Sequence, residues 1–160
     1  MIKLIACIDK YNSLGINNEL IYRIKEDLKI FKEKTIGNII VMGRKTFNSL
    51  DNKPLSNRKN IIISRNLCNP DNKSYIVFND INDVLKLNTS KDIFIIGGNE
   101  IYKHFTPFYD EIHLTIIKNE YTKLYPVNQS VKLNIDLTNF KLINQKEYNM
   151  FFINIYKKIN

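Results

Sequence analysis

Short runs dense in Ile and Val recur at residues 3–8, 39–42, 60–63, 75–78, 93–96 and 112–117, separated by segments of helical or loop character. Strands this apolar on both faces must be covered on both faces, as in a parallel sheet between layers of helices. Helical spacing is read at 25–34, 45–50, 81–87 and 100–105. After Pro107 the pattern changes to 111–118, 140–148 and 151–158, with Asn149 at a tight turn, and predicts a closing antiparallel hairpin. The expectation is an α/β fold whose pairing is largely parallel in its first two-thirds.

No repeat, low-complexity tract or Pro- or Ser-rich linker divides the 160 residues, and 44% hydrophobic residues suffice for one substantial core, so a single domain over 1–160 is expected. No apolar stretch approaches the roughly 20 residues that span a bilayer. Residues 1–4 run straight into strand-like sequence, unlike a signal peptide. Cys7 and Cys68 form neither a pairing motif nor a zinc-ligand spacing. A soluble protein of the reducing cytoplasm, without membrane or metal, fits these features. The net charge of +8 would suit an anionic ligand or nucleic acid. The Lys residues are scattered, however, and Lys, Asn and Ile are abundant throughout, as AT-rich coding sequence produces; no RNA-module motif or DNA-reading helix accompanies them.

Several segments carry chemistry. The 9–23 stretch is long for a loop without regular structure, which is typical of active-site lids, and Gly15 would give it a flexible point. In the helix at 25–34, Ile24, Leu28 and Phe31 follow one face and Asp27 falls with them. A carboxylate on an apolar face needs a partner, ligand or proton, yet an acidic residue in a first turn also simply favours the helix dipole; both readings stand. A strand ending at Gly43 and followed by Arg44, Lys45 and Thr46 suits an anion at a helix start, without the spacing of a Walker loop. Gly97-Gly98, between a strand and Asn99-Glu100-Ile101-Tyr102, repeats that design and allows close backbone approach, though a double glycine is also an ordinary turn. Ser64 and Arg65 end another strand, as a phosphate site or as a surface pair. Arg58 could grip a carboxylate bidentately. His104 and His113 are isolated and receive no role, and no nucleophilic triad is present.

Taken in order, Leu4-Ile5-Ala6, Leu14-Gly15, Asp27-Leu28 with Phe31, Val41-Met42-Gly43-Arg44 with Thr46-Phe47, Arg58-Lys59-Asn60, Ile96-Gly97-Gly98 with Tyr102, and Leu114-Thr115 resemble the dihydrofolate reductase family over essentially the whole chain. The resemblance implies a three-layer domain: a central eight-stranded, mostly parallel sheet, a C-terminal antiparallel hairpin and about four flanking helices. It implies NADPH as hydride donor and 7,8-dihydrofolate as acceptor, in support of one-carbon metabolism, with antifolates as inhibitors and a monomeric state. By position, Asp27 would bind the pterin with help from Thr115. Ile5, Ala6, Leu28, Phe31, Leu55, Ile96 and Tyr102 would line the substrate site, and Arg58 would receive the glutamate carboxylate. Ala6, Cys7, Leu14, Gly15, Ile16, Leu20 and residues Ile96 to Tyr102 would position the nicotinamide, with a cis peptide at Gly97-Gly98. Gly43, Arg44, Lys45 and Thr46 would hold the phosphates, and Ser64 with Arg65 the 2′-phosphate. Leu20 and Tyr22 would flank the water that delivers the proton, and Asp27 would raise the basicity of the accepting nitrogen.

The chain departs from the family pattern in places. Ile21-Tyr22 replaces the usual Pro-Trp, Leu20 a frequent Met, and Asn57 a frequent Gly. Residues 121–126 carry Thr122 without the usual acidic residue that helps hold the lid. The alternative enzyme, a pyrimidine reductase of riboflavin synthesis, would not need Asp27 together with Arg58.

Overall fold

The structure, a computed structural model, describes residues 1–17, 19–124 and 129–160. β1 (Ile2–Ile8) is followed by the short strands β2 (Ser13–Ile16) and β3 (Glu19–Leu20), then by α1 (Lys25–Thr35). Strands and helices next alternate as β4 (Ile39–Gly43), α2 (Arg44–Ser49), β5 (Lys59–Ile63), β6 (Ile76–Phe78), α3 (Ile81–Leu85), β7 (Ile93–Gly97) and α4 (Asn99–His104). β8 (Glu111–Ile117), β9 (Ser130–Lys132), β10 (Phe140–Glu147) and β11 (Phe151–Lys158) complete the order. Among the described residues no helix is long and apolar enough to cross a membrane.

Eight of these strands form one sheet in the order β10-β11-β8-β1-β7-β4-β5-β6. Neighbours from β8 to β6 run parallel, while β11 is antiparallel to β8 and β10 to β11. The strand period of two sorts the Ile- and Val-rich runs into two cores. Ile39, Val41, Ile93 and Ile95 pack with Val84 of α3, Tyr102 of α4 and Phe105 just after it on one face. Ile40, Met42, Ile62 and Phe94 pack with Phe47 of α2 on the other, where Ile24, just before α1, and Ile30 of α1 lie beside Phe151 and Ile153. The three-layer, mostly parallel arrangement follows from strands apolar on both sides.

Two expectations are corrected. The 9–23 stretch has regular structure of its own: β2 pairs with β3 and with β9 in a second, three-stranded sheet. Gly15 serves there as a close-packing point instead of a flexible one, because a Cβ on it would lie 2.7 Å from the Glu19 carbonyl oxygen. The apolar face of α1 is also less covered than its spacing suggests. Thr35 is its one buried residue among those described, and Leu28 is 42% exposed. Leu28 and Phe31 border a cleft.

β10 has little burial on either face and forms the sheet edge, with a register shift between Leu142 and Asn144. Such a bulge discourages edge-to-edge pairing. At the opposite, carboxyl ends of the parallel strands, Cys7, Gly43, Ile63, Gly97 and Thr115 converge on one crevice, where ligands of open α/β sheets bind.

Candidate active site

The crevice is a cleft of about 950 Å³ running between α1, the β2–β3 hairpin and the glycine turns after β4 and β7. Its volume is at the upper end for small-molecule sites, roughly 300–1,000 Å³. Among the described acidic residues that line it, Asp27 is the one that stands on α1. Asp27, half-buried in the first turn of α1, accepts a 2.6 Å hydrogen bond from the Thr115 hydroxyl of β8. Burial raises its carboxyl above the usual carboxylate range, and this outweighs the Thr115 bond, the positive charge of Lys34 and a thiol bond from Cys7. Cys7 is itself pushed up, by burial first and by the neighbouring carboxylate second, so its thiol stays protonated beside Asp27.

Ile5, Leu28, Phe31, Leu55 and Ile96 form apolar walls around that carboxylate. Arg58 stands at the far end of the same wall. It donates from Nε to the Ser56 carbonyl at 2.9 Å and from Nη1 to Thr35 Oγ1 at 3.1 Å, and lies 6.0 Å from the Phe31 ring centre. Thr35 in turn donates to the Phe31 carbonyl at 2.8 Å, so a buried hydroxyl at the end of α1 aims the guanidinium. Asn57 holds φ +57° in the preceding turn, a conformation that Asn tolerates where most residues do not. Thr35→Val keeps the shape and removes the acceptor, so affinity for a carboxylate-bearing ligand at this end of the cleft should fall about fivefold in ligand titrations, the loss of roughly 1 kcal/mol.

The other half of the cleft is built from backbone. α2 begins after Gly43 and α4 after Gly98, and neither N-terminus has a side-chain cap, whereas α3 is capped by Asp80 accepting from the Asn82 amide at 2.8 Å. The amides opening α2 and α4 are therefore free of side-chain competitors for an anion. Arg44 and Lys45 stand in the first turn of α2, and Arg65 lies beside Ser64 after β5. Ser64 does more than mark the surface: its hydroxyl accepts from the Asn66 and Leu67 amides at 3.3 and 3.1 Å, shaping the turn that presents Arg65. Gly97-Gly98 is a cis peptide, and Gly97 has φ +118°. A Cβ on Gly97 would lie 3.4 Å from Thr46 Oγ1 and from the Tyr102 ring and hydroxyl. Tyr102, whose hydroxyl donates to the Ile5 carbonyl at 2.9 Å, ties α4 to β1 across this turn.

Nearly all residues expected at the site line the cleft, including Ala6, Leu14, Gly15, Leu20, Asn99, Glu100 and Ile101. Ile16 and Tyr22 are absent from the wall. The Tyr22 hydroxyl, expected near the proton route, donates to Asp9 Oδ2 at 2.8 Å and accepts from the Lys123 amide at 3.1 Å. Lys123 Nζ also donates to the Ile21 carbonyl at 3.1 Å. The aromatic residue at position 22 thus ties the end of the 9–23 stretch to Asp9 and Lys123. Thr122 donates to the Lys118 carbonyl at 3.4 Å, while Tyr125 and Pro126 of the same motif lie outside the described residues.

Sequence reasoning missed Lys34 and His113, which also line the cleft. Lys34 is seven residues after Asp27 on α1, and His113 is two before Thr115 on β8. The helix and strand periods could have placed both on the faces already singled out.

A family model described as Dihydrofolate reductase matches residues 1–157. The chain is 38% identical over 156 residues to the dihydrofolate reductase of Ureaplasma parvum serovar 3, covering 98% of this chain and 96% of that one. It is 32% identical over 152 residues to the dihydrofolate reductase of Bacillus subtilis, covering 92% and 84%. Among solved structures, dihydrofolate reductase from Enterococcus faecalis complexed with NADP(H) and RAB-propyl matches with a TM-score of 0.83 at 24% identity, over 100% of this chain and 97% of that one.

Proposed function

This chain belongs to the dihydrofolate reductase family, and on that footing we propose the following roles for the residues around its cleft. The reaction is the NADPH-dependent reduction of 7,8-dihydrofolate to 5,6,7,8-tetrahydrofolate, which supplies one-carbon metabolism. The observation that carries the assignment of roles is Asp27: one carboxylate in an apolar wall, with Thr115 as its partner, opposite an open backbone cradle.

The residues present fit the cofactor. Gly97 leaves free the volume that a Cβ would take against Thr46 and Tyr102, two uncapped helix starts offer amides, and Arg44, Lys45 and Arg65 supply positive charge for three phosphates. NADPH, when bound, supplies the hydride. Everything else falls to the chain. Asp27 and Thr115 hold the amino group and ring N–H of the pterin, which fixes the orientation of its imine carbon. Ile5, Leu28, Phe31 and Leu55 exclude water from the ring, and Arg58 anchors the glutamate carboxylate. The anionic field of Asp27 raises the basicity of the pterin nitrogen, and Leu20, 50% exposed on the hairpin, borders the route by which a water reaches it. The protein acts as one domain and a monomer in the cytoplasm, and diaminopyrimidine antifolates compete at Asp27.

The test is loss of the NADPH absorbance band. Oxidation should require dihydrofolate, run much faster with NADPH than with NADH, and stop on addition of a diaminopyrimidine. NADPH oxidation that ignores dihydrofolate would overturn the assignment.

A further inference from the structure

Behind the pterin wall, one sheet face carries an unusual row of charges. The β1–β8 register places Lys3 opposite Glu111, Ile5 opposite His113 and Cys7 opposite Thr115, so all six share the face that α1 covers. On the other side of β8, β11 sets Lys157 beside Glu111 and the apolar Ile155 and Ile153 beside His113 and Thr115. From α1, Lys34 reaches down into this row with its Nζ 3.2 Å from His113 Nδ1.

The bond pattern fixes the proton positions. The Lys34 ammonium has only donors, so His113 Nδ1 accepts, and the His113 Nε2–H then donates to Glu111 Oε2 at 2.9 Å. Burial and the neighbouring cations hold His113 below its usual range against the pull of Glu111, which keeps the ring neutral. Glu111 is shared with Lys3 at 3.2 Å, Lys3 with Asp92 at 2.9 Å, and Asp92 with the N-terminal amine at 3.3 Å. Charges therefore alternate in sign from the N-terminus to the cleft, and the last cation before Asp27 is Lys34. Burial draws Lys34 down, and the negative charges of Asp27 and Glu111 oppose that.

Resting on the reading of Asp27 as the pterin anchor, we propose that Lys34 is a positioning residue for that carboxylate: its ammonium, seated on the neutral His113 ring, is the counter-charge against which Asp27 meets its ligand. Lys34 needs no contact with the ligand to act. Two turns along α1 from Asp27 and lining the same cleft, it opposes the burial that favours the protonated form of that carboxylate, so the pocket remains an anion receptor for a cationic or proton-sharing ring over a wider pH range. His113 and Glu111 hold the ammonium in place, which a flexible Lys on its own would not achieve.

A weakly basic 2,4-diaminopyrimidine is the probe, because it pairs as a cation with ionised Asp27. Calorimetric titrations in buffers of different ionisation enthalpy, from pH 5 to 8, count the protons taken up on binding. The inhibitor's own titration is common to every variant, so differences between variants report Asp27. In Lys34→Met the midpoint assigned to Asp27 should rise, as follows from losing an opposite charge, and Lys34→Arg should restore it. Lys34→Gln, which keeps a donor for His113, should shift like Met and serves if the Met variant does not fold. A midpoint unchanged in both neutral variants, with affinity lowered equally at every pH, would overturn the role of Lys34 and leave a merely structural lysine. Asp27→Asn should remove the midpoint assigned to Asp27 and leave only the inhibitor's own titration; if that midpoint persists, the assignment of Asp27 itself fails, and the two failures are distinct.

Discussion

Asp27→Asn should reduce dihydrofolate turnover at neutral pH by about 100- to 1,000-fold, the scale of losing one preorganised electrostatic group, and should recover part of it in acid. Asn can still accept the Thr115 hydroxyl bond that Asp27 accepts at 2.6 Å, so shape is kept while charge is lost. Without the anion the pterin nitrogen is less basic, and only a substrate protonated in solution reacts well. Stopped-flow or steady-state rates from pH 5 to 8 read this directly. Full activity of the variant at pH 7 would refute the role.

The same substitution should stabilise the ligand-free protein. The folded-state pKa of Asp27 is raised, so in the window above the unfolded value the native state binds this proton more tightly than the unfolded state does. Stability then falls as pH rises through the folded pKa. Asn carries no charge at any pH, so its thermal midpoint at pH 7 should exceed that of the parent, and the gap should close as the pH is lowered. A site residue that costs stability when empty is the expected signature of a group held for binding.

Gly97→Ala is the second large effect. At φ +118° an L side chain is strained, and the new Cβ would also press on Thr46 and Tyr102 at 3.4 Å. The backbone cost is about 1–3 kcal/mol. NADPH affinity should fall by about tenfold or more, and the thermal midpoint should drop with it. Gly98 has φ −80°, and a Cβ there would meet only Thr46 Oγ1, at an ordinary 3.5 Å. Gly98→Ala should therefore fold close to normally and lose cofactor affinity alone. Calorimetry and NADPH titration on the two variants separate strain from occupancy.

Much of this architecture was legible because short runs apolar on both faces, set between helical segments, have few alternatives. Residues 39–42 and 93–96 became the core strands β4 and β7, with ends displaced by a residue at most. The β2–β3–β9 sheet was not legible. Its strands are short and largely exposed, and Ser13 meets Ser130, to which its hydroxyl lies 3.2 Å, across 117 residues. At the site, residue types beside glycines or in odd environments stood out, and Asp27, Arg58 and Gly97 were found that way. The surroundings of Lys34 and Tyr22 were not legible because distant partners determine them: His113 lies beneath the Lys34 ammonium, and Tyr22, expected beside the proton route, gives its hydroxyl to Asp9.

The strand order has a consequence during synthesis. β1 is synthesised well before its neighbours in the sheet, β7 and β8, and β8 is closed on its far side by β11. Asp27 waits 88 residues for Thr115, and Ile153 of the cleft wall comes later still. The nascent chain therefore holds half a pocket through most of translation, with β1 apolar on two sides and unpaired. Such non-local pairing is slow and exposes sticky intermediates. A ligand that recognises the finished cleft cannot assist until β11 arrives, so binding reports completion of the cleft and cannot template its early folding.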